Sequence, residues 1–263
     1  MMHITTCQAE NTFEITRRLA DYLVEQLRLP VACVEDISWK ERYRLIEAGE
    51  MDMGWICGRP YLAYADRSHP SIELLAAPVM QGDRYAAHPI YFSDVVVRAD
   101  SPFQRFADLR GASWAYNEPG SHSGYGITCY HLARMGETNR FFGKTVGSGA
   151  HMRSLQMVLD GEIDASAIDS TVLEWALRER PFLTPHLRII DTIGPSPIPP
   201  LVIQKNLPAD LKQTIRHLLL HMHEEENGRF ILNSGQLARF VQVHDQDYDP
   251  IRKMNQVAIQ TKI

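Results

Sequence analysis

Short apolar runs alternate along the chain with stretches in which apolar residues recur every third or fourth position. This is the pattern of an α/β fold with largely parallel sheets. The runs predict strands over residues 3–7, 31–34, 51–57, 74–79, 93–98, 113–116, 165–168, 187–190 and 201–204. Between the first two, residues 13–27 carry Ile15, Leu19, Leu23 and Leu27 at every fourth position, so this segment is expected to lay one apolar stripe on a sheet as the first crossover helix.

One step occurs twice. Gly49-Glu50-Met51-Asp52 leads into the apolar Met53-Gly54-Trp55-Ile56, and Gly161-Glu162-Ile163-Asp164 leads into Ala165-Ser166-Ala167-Ile168. In each, glycine supplies the left-handed residue that ends a helix, and the chain turns directly into a buried strand. Either the two halves share an architecture, or four matching positions coincide by chance. Asp100-Ser101-Pro102 and then 106–111 form a polar, glycine-terminated turn that could start a second lobe; two such crossings make two lobes, and the alternative is that the proline-rich stretch 194–200 is a surface loop within one domain. Gly194-Pro195-Ser196-Pro197-Ile198-Pro199-Pro200 forbids helix and predicts an extended connector back. The expected organisation is residues 1–92 plus 200–263 in one lobe and 93–199 in the other. After the connector, Leu211, Ile215, Leu218 and Met222 form another helical stripe, and the segment from Tyr248 to Ala258 is expected to pack back on the first lobe.

The 263 residues, 44% of them hydrophobic and 22% charged, suffice for two moderate cores. A net charge of −5 provides no diffuse positive field for nucleic acid or an anionic membrane, so any anion site must be built locally and no nucleic-acid partner is expected. The opening residues show no basic segment followed by an apolar run, and no later stretch approaches spanning length. The chain as it stands is therefore expected to be neither exported nor inserted in a membrane: cytoplasmic if complete, extracytoplasmic if an export signal has been removed. Cys7, Cys33, Cys57 and Cys129 include no Cys-x-x-Cys pair, which argues against structural zinc; they read as buried free thiols ahead of disulfides. His217, His221 and His223 lie beside three glutamates, but nothing nearby completes a metal set, and the run reads as a wet helix face. Neither a metal nor a cofactor is expected.

The chemistry-bearing stretch is Asn117-Glu118-Pro119-Gly120-Ser121-His122-Ser123-Gly124-Tyr125-Gly126, after the strand 113–116 and before a helix running to about Met135. Glycines and small hydroxyls at a helix start leave backbone amides pointing outward, with the positive end of the dipole behind them, and such a turn binds oxyanions. Ser121 and Ser123 add hydroxyl donors, and His122 adds a proton or a charge near neutral pH. The same pattern equally suits a plain helix cap. His151, after Gly147-Ser148-Gly149-Ala150, sits at a second helix start, as a surface cap or a ligand contact. Asp169 follows the strand 165–168, to cap the next helix or to orient a ligand's proton donor. Trp39, Trp55 and Tyr91 lie at element ends, as cleft walls or as core. Arg59, in the loop Cys57-Gly58-Arg59-Pro60-Tyr61, is either the site's one strong positive charge or a solvated side chain. No nucleophile elbow, zinc helix or phosphate loop is present.

The succession of residues 91–101, then 106–111, then Glu118-Pro119-Gly120-Ser121-His122-Ser123-Gly124-Tyr125, continues through Gly149-Ala150-His151, residues 161–164, and Asp247-Tyr248-Asp249-Pro250-Ile251-Arg252. It resembles the phosphonate-binding group of substrate-binding proteins of ABC transporters, which have the type 2 periplasmic binding protein fold. The resemblance implies two α/β lobes joined by two hinge strands, a ligand cleft between the lobes, and capture of a small anion by closure rather than by catalysis, with a transporter permease as partner. It further implies that Ser121, Ser123 and the Gly124 amide hold the oxyanion, and that Trp39, Tyr91 and His151 fall at pocket positions. His122 replaces the group's usual hydroxyl residue, which implies an altered ligand, and Ser196-Pro197 shows no acidic residue to recognise an amine. A cytosolic enzyme of cofactor biosynthesis with His122 or His151 as acid or base, and a ligand-sensing domain, are the alternatives on the same fold.

Overall fold

A computed structural model describes residues 1–137 and 140–263. Two compact units form, Met1–Ile90 with Pro197–Tyr248, and Tyr91–Ser196 with Asp249–Ile263. The chain begins with β1 (Met2–Thr6), α1 (Phe13–Leu27), β2 (Val31–Cys33), α2 (Trp39–Ala48), β3 (Met53–Trp55), α3 (Gly58–Ala65) and β4 (Ile72–Met80). It continues with β5 (Ile90–Arg98), β6 (Ser113–Tyr116), α4 (Ile127–Arg134), β7 (Lys144–Gly147), α5 (His151–Leu159), β8 (Ala165–Asp169), α6 (Ser170–Glu179) and β9 (Leu187–Pro197). Then come β10 (Leu201–Gln204), α7 (Ala209–His221), α8 (Glu226–Ser234), β11 (Leu237–Val241) and α9 (Asp249–Val257).

The first unit holds a six-stranded sheet in the order β11-β4-β10-β3-β1-β2. Ile15, Leu19 and Leu23 of α1 are fully buried, as the fourfold spacing requires. Ser38 caps α2 by accepting from the Glu41 amide at 3.2 Å, and Gly49 ends the helix in the left-handed region, φ 74°. The buried Arg42 donates to the carbonyls of Thr6, Glu35 and Ile37, which ties α2 to the end of β1. Gly161, φ 72°, makes the same left-handed stop after α5, so the repeated sequence step is a repeated structural step.

The second unit holds a five-stranded sheet in the order β7-β6-β8-β5-β9. Its core is aromatic: Trp114 stacks on Phe142 at 4.5 Å between ring centres, and Phe106 stacks on Phe141 at 5.5 Å. The C-terminal segment departs from expectation. It was expected on the first lobe, but Asp249–Ile263 belongs to the second unit, because Met254 and Ile263 pack against this aromatic cluster. Met254→Ala is expected to cost about 1–2 kcal/mol, part of a buried methionine's worth. Hydrogen exchange should then show faster amides in β5 and β6, with β1 and β3 unchanged.

Both sheets are mixed rather than largely parallel. β1 runs parallel to β2 and β3, and β6 runs parallel to β7 and β8, whereas β10 lies antiparallel to β3 and β4 and β5 antiparallel to β8. A parallel neighbour needs a crossover helix, and β5 and β10 each enter their sheet directly from the other unit. The proline-rich connector is extended, as expected, with β9 continuing to Pro197.

Candidate functional site

Parallel pairing assembles the site in the second unit. Register matches Tyr116 of β6 to Gly147 of β7, so the segments that follow leave the sheet side by side. The Ser148 amide bonds the Tyr116 carbonyl, and the Gly149 amide bonds the Asn117 carbonyl, both at 2.8 Å. β8 is parallel to β6 and delivers Asp169 at the same carboxyl edge. Antiparallel β5 pairs Ser93 with Asp169, so its amino end, with Tyr91, reaches that edge too. Open α/β sheets collect ligand contacts at such an edge.

The turn Ser121–Gly126 enters α4 through a wide, π-type turn, with the Gly126 amide bonded to the Ser121 carbonyl at 3.0 Å. Ser121 is the cap, its hydroxyl oxygen accepting from the Gly124 amide at 3.2 Å. His122 and Ser123 point inward and are buried. Ser123 Oγ lies 2.9 Å from His151 Nε2, and His122 Nε2 lies 2.9 Å from Ser196 Oγ, with the Tyr91 ring centre 6.4 Å from that of His122. A side chain at Gly124 would collide with Asn117 Oδ1 and would sit 3.2 Å from His151 Cε1, so only glycine lets these groups approach the turn.

Electrostatics follow burial. His151 is the first residue of α5 and is only 6% exposed, which excludes a surface cap, and desolvation lowers its pKa to about 4, so it is neutral near pH 7. Asp169 caps α6, accepting from the Thr171 amide at 2.9 Å and the Thr171 hydroxyl at 2.7 Å, yet burial pushes its carboxyl up to about 6. Thus Tyr91, Ser121, His122, Ser123, Gly124, His151 and Asp169 share one unit and one strand edge.

Trp39 and Arg59 belong to the first unit. Trp39 opens α2, half-buried and edge-on to Tyr43 at 6.0 Å. Arg59 does not lie in a loop: Gly58-Arg59-Pro60 forms the first turn of α3, where proline's missing amide hydrogen leaves no helix bond unmade. Trp55 is core, its indole N–H donating to the Pro199 carbonyl at 3.0 Å. Sequence reasoning missed Asn117 and Ser196 as members of the site. The first stands at the start of the turn with no local sign of its role, and the second lies 74 residues from its histidine. Among the described residues, no group of three or more His, Cys, Asp or Glu side chains is placed to hold a metal.

Two α/β units, each built on a mixed sheet with flanking helices, are the fold of type 2 periplasmic binding proteins. The family model described as "ABC transporter, phosphonate, periplasmic substrate-binding protein" matches residues 2–248, and the chain belongs to that family. Among solved structures, a binding protein component of an ABC phosphonate transporter from Pseudomonas aeruginosa is similar, at 18% identity over 98% of this chain and 86% of that one, TM-score 0.85. PhnD1 from Prochlorococcus marinus, in complex with methylphosphonate, matches at 17% identity over 98% of both chains, TM-score 0.85. The aliphatic sulphonate binding protein SsuA from Escherichia coli matches at 16% identity over 98% of this chain and 85% of that one, TM-score 0.62.

Proposed function

We propose that this protein is the periplasmic capture component of an ABC importer, delivering to a membrane permease a small tetrahedral oxyanion of the phosphonate or phosphate kind. The turn Ser121–Gly124 and His151 in the second unit bind the oxyanion. The observation that carries this reading is the buried Ser123–His151 pair at 2.9 Å, set against a helix start where a carbon added at Gly124 would collide with Asn117 Oδ1 and crowd His151. First-turn amides lack carbonyl partners within their own helix, and hydroxyls beside them complete an oxyanion cradle. Trp39 is assigned to ligand binding on the strength of the family resemblance, and Arg59 for the positive charge it offers; both lie in the first unit.

A serine 2.9 Å from a histidine also invites an enzymatic reading, and the geometry disfavours it. His151 Nδ1 has no hydrogen-bond partner to orient the ring, and an imidazole whose pKa is about 4 is a weak base for activating a hydroxyl. The pair is built to position a donor, not to create a nucleophile.

A thermal-shift series against phosphate, phosphite, methylphosphonate, aminoalkylphosphonates, sulfonates and small carboxylates tests the reading, since a ligand that binds only the folded chain raises the melting temperature. A saturable shift with a phosphorus oxyanion is expected; a shift with carboxylates alone would overturn it. Two variants separate cap from cradle. Ser123→Ala is expected to weaken binding roughly 10- to 100-fold, the worth of one charge-assisted hydrogen bond, and to cost about 1–3 kcal/mol of unliganded stability because the buried His151 Nε2 loses its partner. Ser121→Ala is expected to cost about 1 kcal/mol of stability even without ligand, because the cap is lost.

A further inference from the structure

On the reading that this edge takes a tetrahedral oxyanion, we propose that the site selects the oxyanion in its singly charged, protonated form, with Asn117 and His151 accepting the ligand's hydroxyl proton. The turn's hydroxyls and amides are donors and suit any oxyanion. Asn117 Oδ1 and His151 Nδ1 are different: each is a buried polar atom with no hydrogen-bond partner. His151 as a whole is more than nine-tenths buried. Both side chains converge on Gly124, where an added carbon would strike Asn117 Oδ1 and stand 3.2 Å from His151 Cε1. Buried acceptors left unpaired are costly, and a ligand that brings its own donor removes that cost.

The hydrogen-bond direction is self-consistent. A neutral imidazole carries one proton. When it sits on Nε2, it donates to Ser123 Oγ across the observed 2.9 Å, which leaves the serine hydrogen for an anionic ligand oxygen and Nδ1 as an acceptor. A phosphonate monoanion offers one O–H, shared between the two acceptors in a three-centre hydrogen bond, and two oxygens to receive. A dianion presents no donor to Asn117 or His151, and neither does a sulfonate.

The ionisable groups on the turn and the elements packed on it are His122 and Tyr125 within it, Cys129, Tyr130, His131 and Arg134 on α4, Asp169 on β8, and Asp249, Arg252 and Lys253 on α9, with Tyr116 on the preceding β6 and Asp94 on β5 beside Asp169. Their titration would also make affinity depend on pH, so the test must follow the ligand's ionisation rather than the protein's. Calorimetric titration of the full chain with methylphosphonate from pH 5 to 9 is expected to show affinity falling about tenfold per pH unit above the ligand's own second pKa. Replacing it with phosphite, whose second pKa differs, is expected to move the midpoint with the ligand. Methanesulfonate, equal in shape and charge but without an acidic proton, is expected to bind at least tenfold more weakly at the pH where methylphosphonate is a monoanion. His151→Gln and Asn117→Val, checked as folded by their melting curves, should narrow the phosphonate-to-sulfonate ratio severalfold. Affinity that rises as the ligand becomes a dianion, a midpoint that stays fixed when the ligand changes, or equal sulfonate binding would each overturn the proposal and leave the oxyanion assignment standing. Failure of every oxyanion to bind at any pH would overturn both.

Discussion

Replacing Gly124 with alanine is expected to weaken oxyanion binding at least a hundredfold while costing only about 1–3 kcal/mol of stability, the usual range for one methyl group forced into a packed site. The added carbon would overlap Asn117 Oδ1 and crowd His151 Cε1 at 3.2 Å. Asn117 ends in a short rotatable amide and can swing aside, which limits the stability cost. His151 is buried and hydrogen-bonded to Ser123, so it yields only by giving up that contact. Function and stability therefore separate: the fold relaxes by breaking the arrangement that the ligand needs. Gly120→Ala, in the same turn, is the control, because the nearest atom to its added carbon is Glu118 Oε1 at 3.8 Å. Calorimetry on both variants checks the contrast. Equal losses would show that the turn tolerates no side chain anywhere, and would remove the special role of Gly124.

Some of this site is legible along the chain, and some arises only from pairing. The strands 113–116 and 201–204 come out at their observed bounds because turn or proline residues fence them on both sides. β7 escapes notice because Lys144-Thr145-Val146-Gly147 is a short edge strand, mostly exposed, with no apolar alternation to detect. β11 escapes because Leu237-Ala238-Arg239-Phe240-Val241 follows closely on a helix and carries an arginine. Glycine, serine and histidine announce the turn 121–126 locally. Its partner His151 is 28 residues away and meets Ser123 only because β6 and β7 pair with Tyr116 opposite Gly147. The misplaced C-terminal segment has the same origin: α9 is plainly amphipathic in sequence, but which core its apolar face meets is decided by the aromatic cluster of the second unit.

Asp169→Asn is expected to stabilise the unliganded protein by roughly 3 kcal/mol at pH 7, and to expose a pH dependence that the natural chain conceals. Burial raises the Asp169 carboxyl from 3.8 to about 6, helped by Asp94 on the neighbouring strand. The folded state thus favours the protonated acid, and its advantage, present in full below pH 3.8, is lost as pH rises to about 6, at about 1.4 kcal/mol per pH unit. His151 runs the other way. Its pKa falls from 6.5 to about 4, so the folded state favours the neutral ring. That contribution is complete above pH 6.5 and is lost as pH drops toward about 4. The two windows nearly coincide with opposite sign, so the natural chain should be close to flat between about pH 4 and 6 as far as these groups decide. Asparagine keeps the cap, since its Oδ1 accepts from Thr171 as the aspartate does, and it never ionises. Denaturant unfolding of Asp169→Asn should therefore show stability climbing by roughly 3 kcal/mol from pH 4 to 6.5. His151→Gln should show the mirror-image fall over the Asp169 window. If Asp169→Asn instead follows the natural chain across the whole range, Asp169 is solvated in the folded state. The expected trade is then absent, in which a buried carboxylate is kept at the ligand edge at the expense of stability.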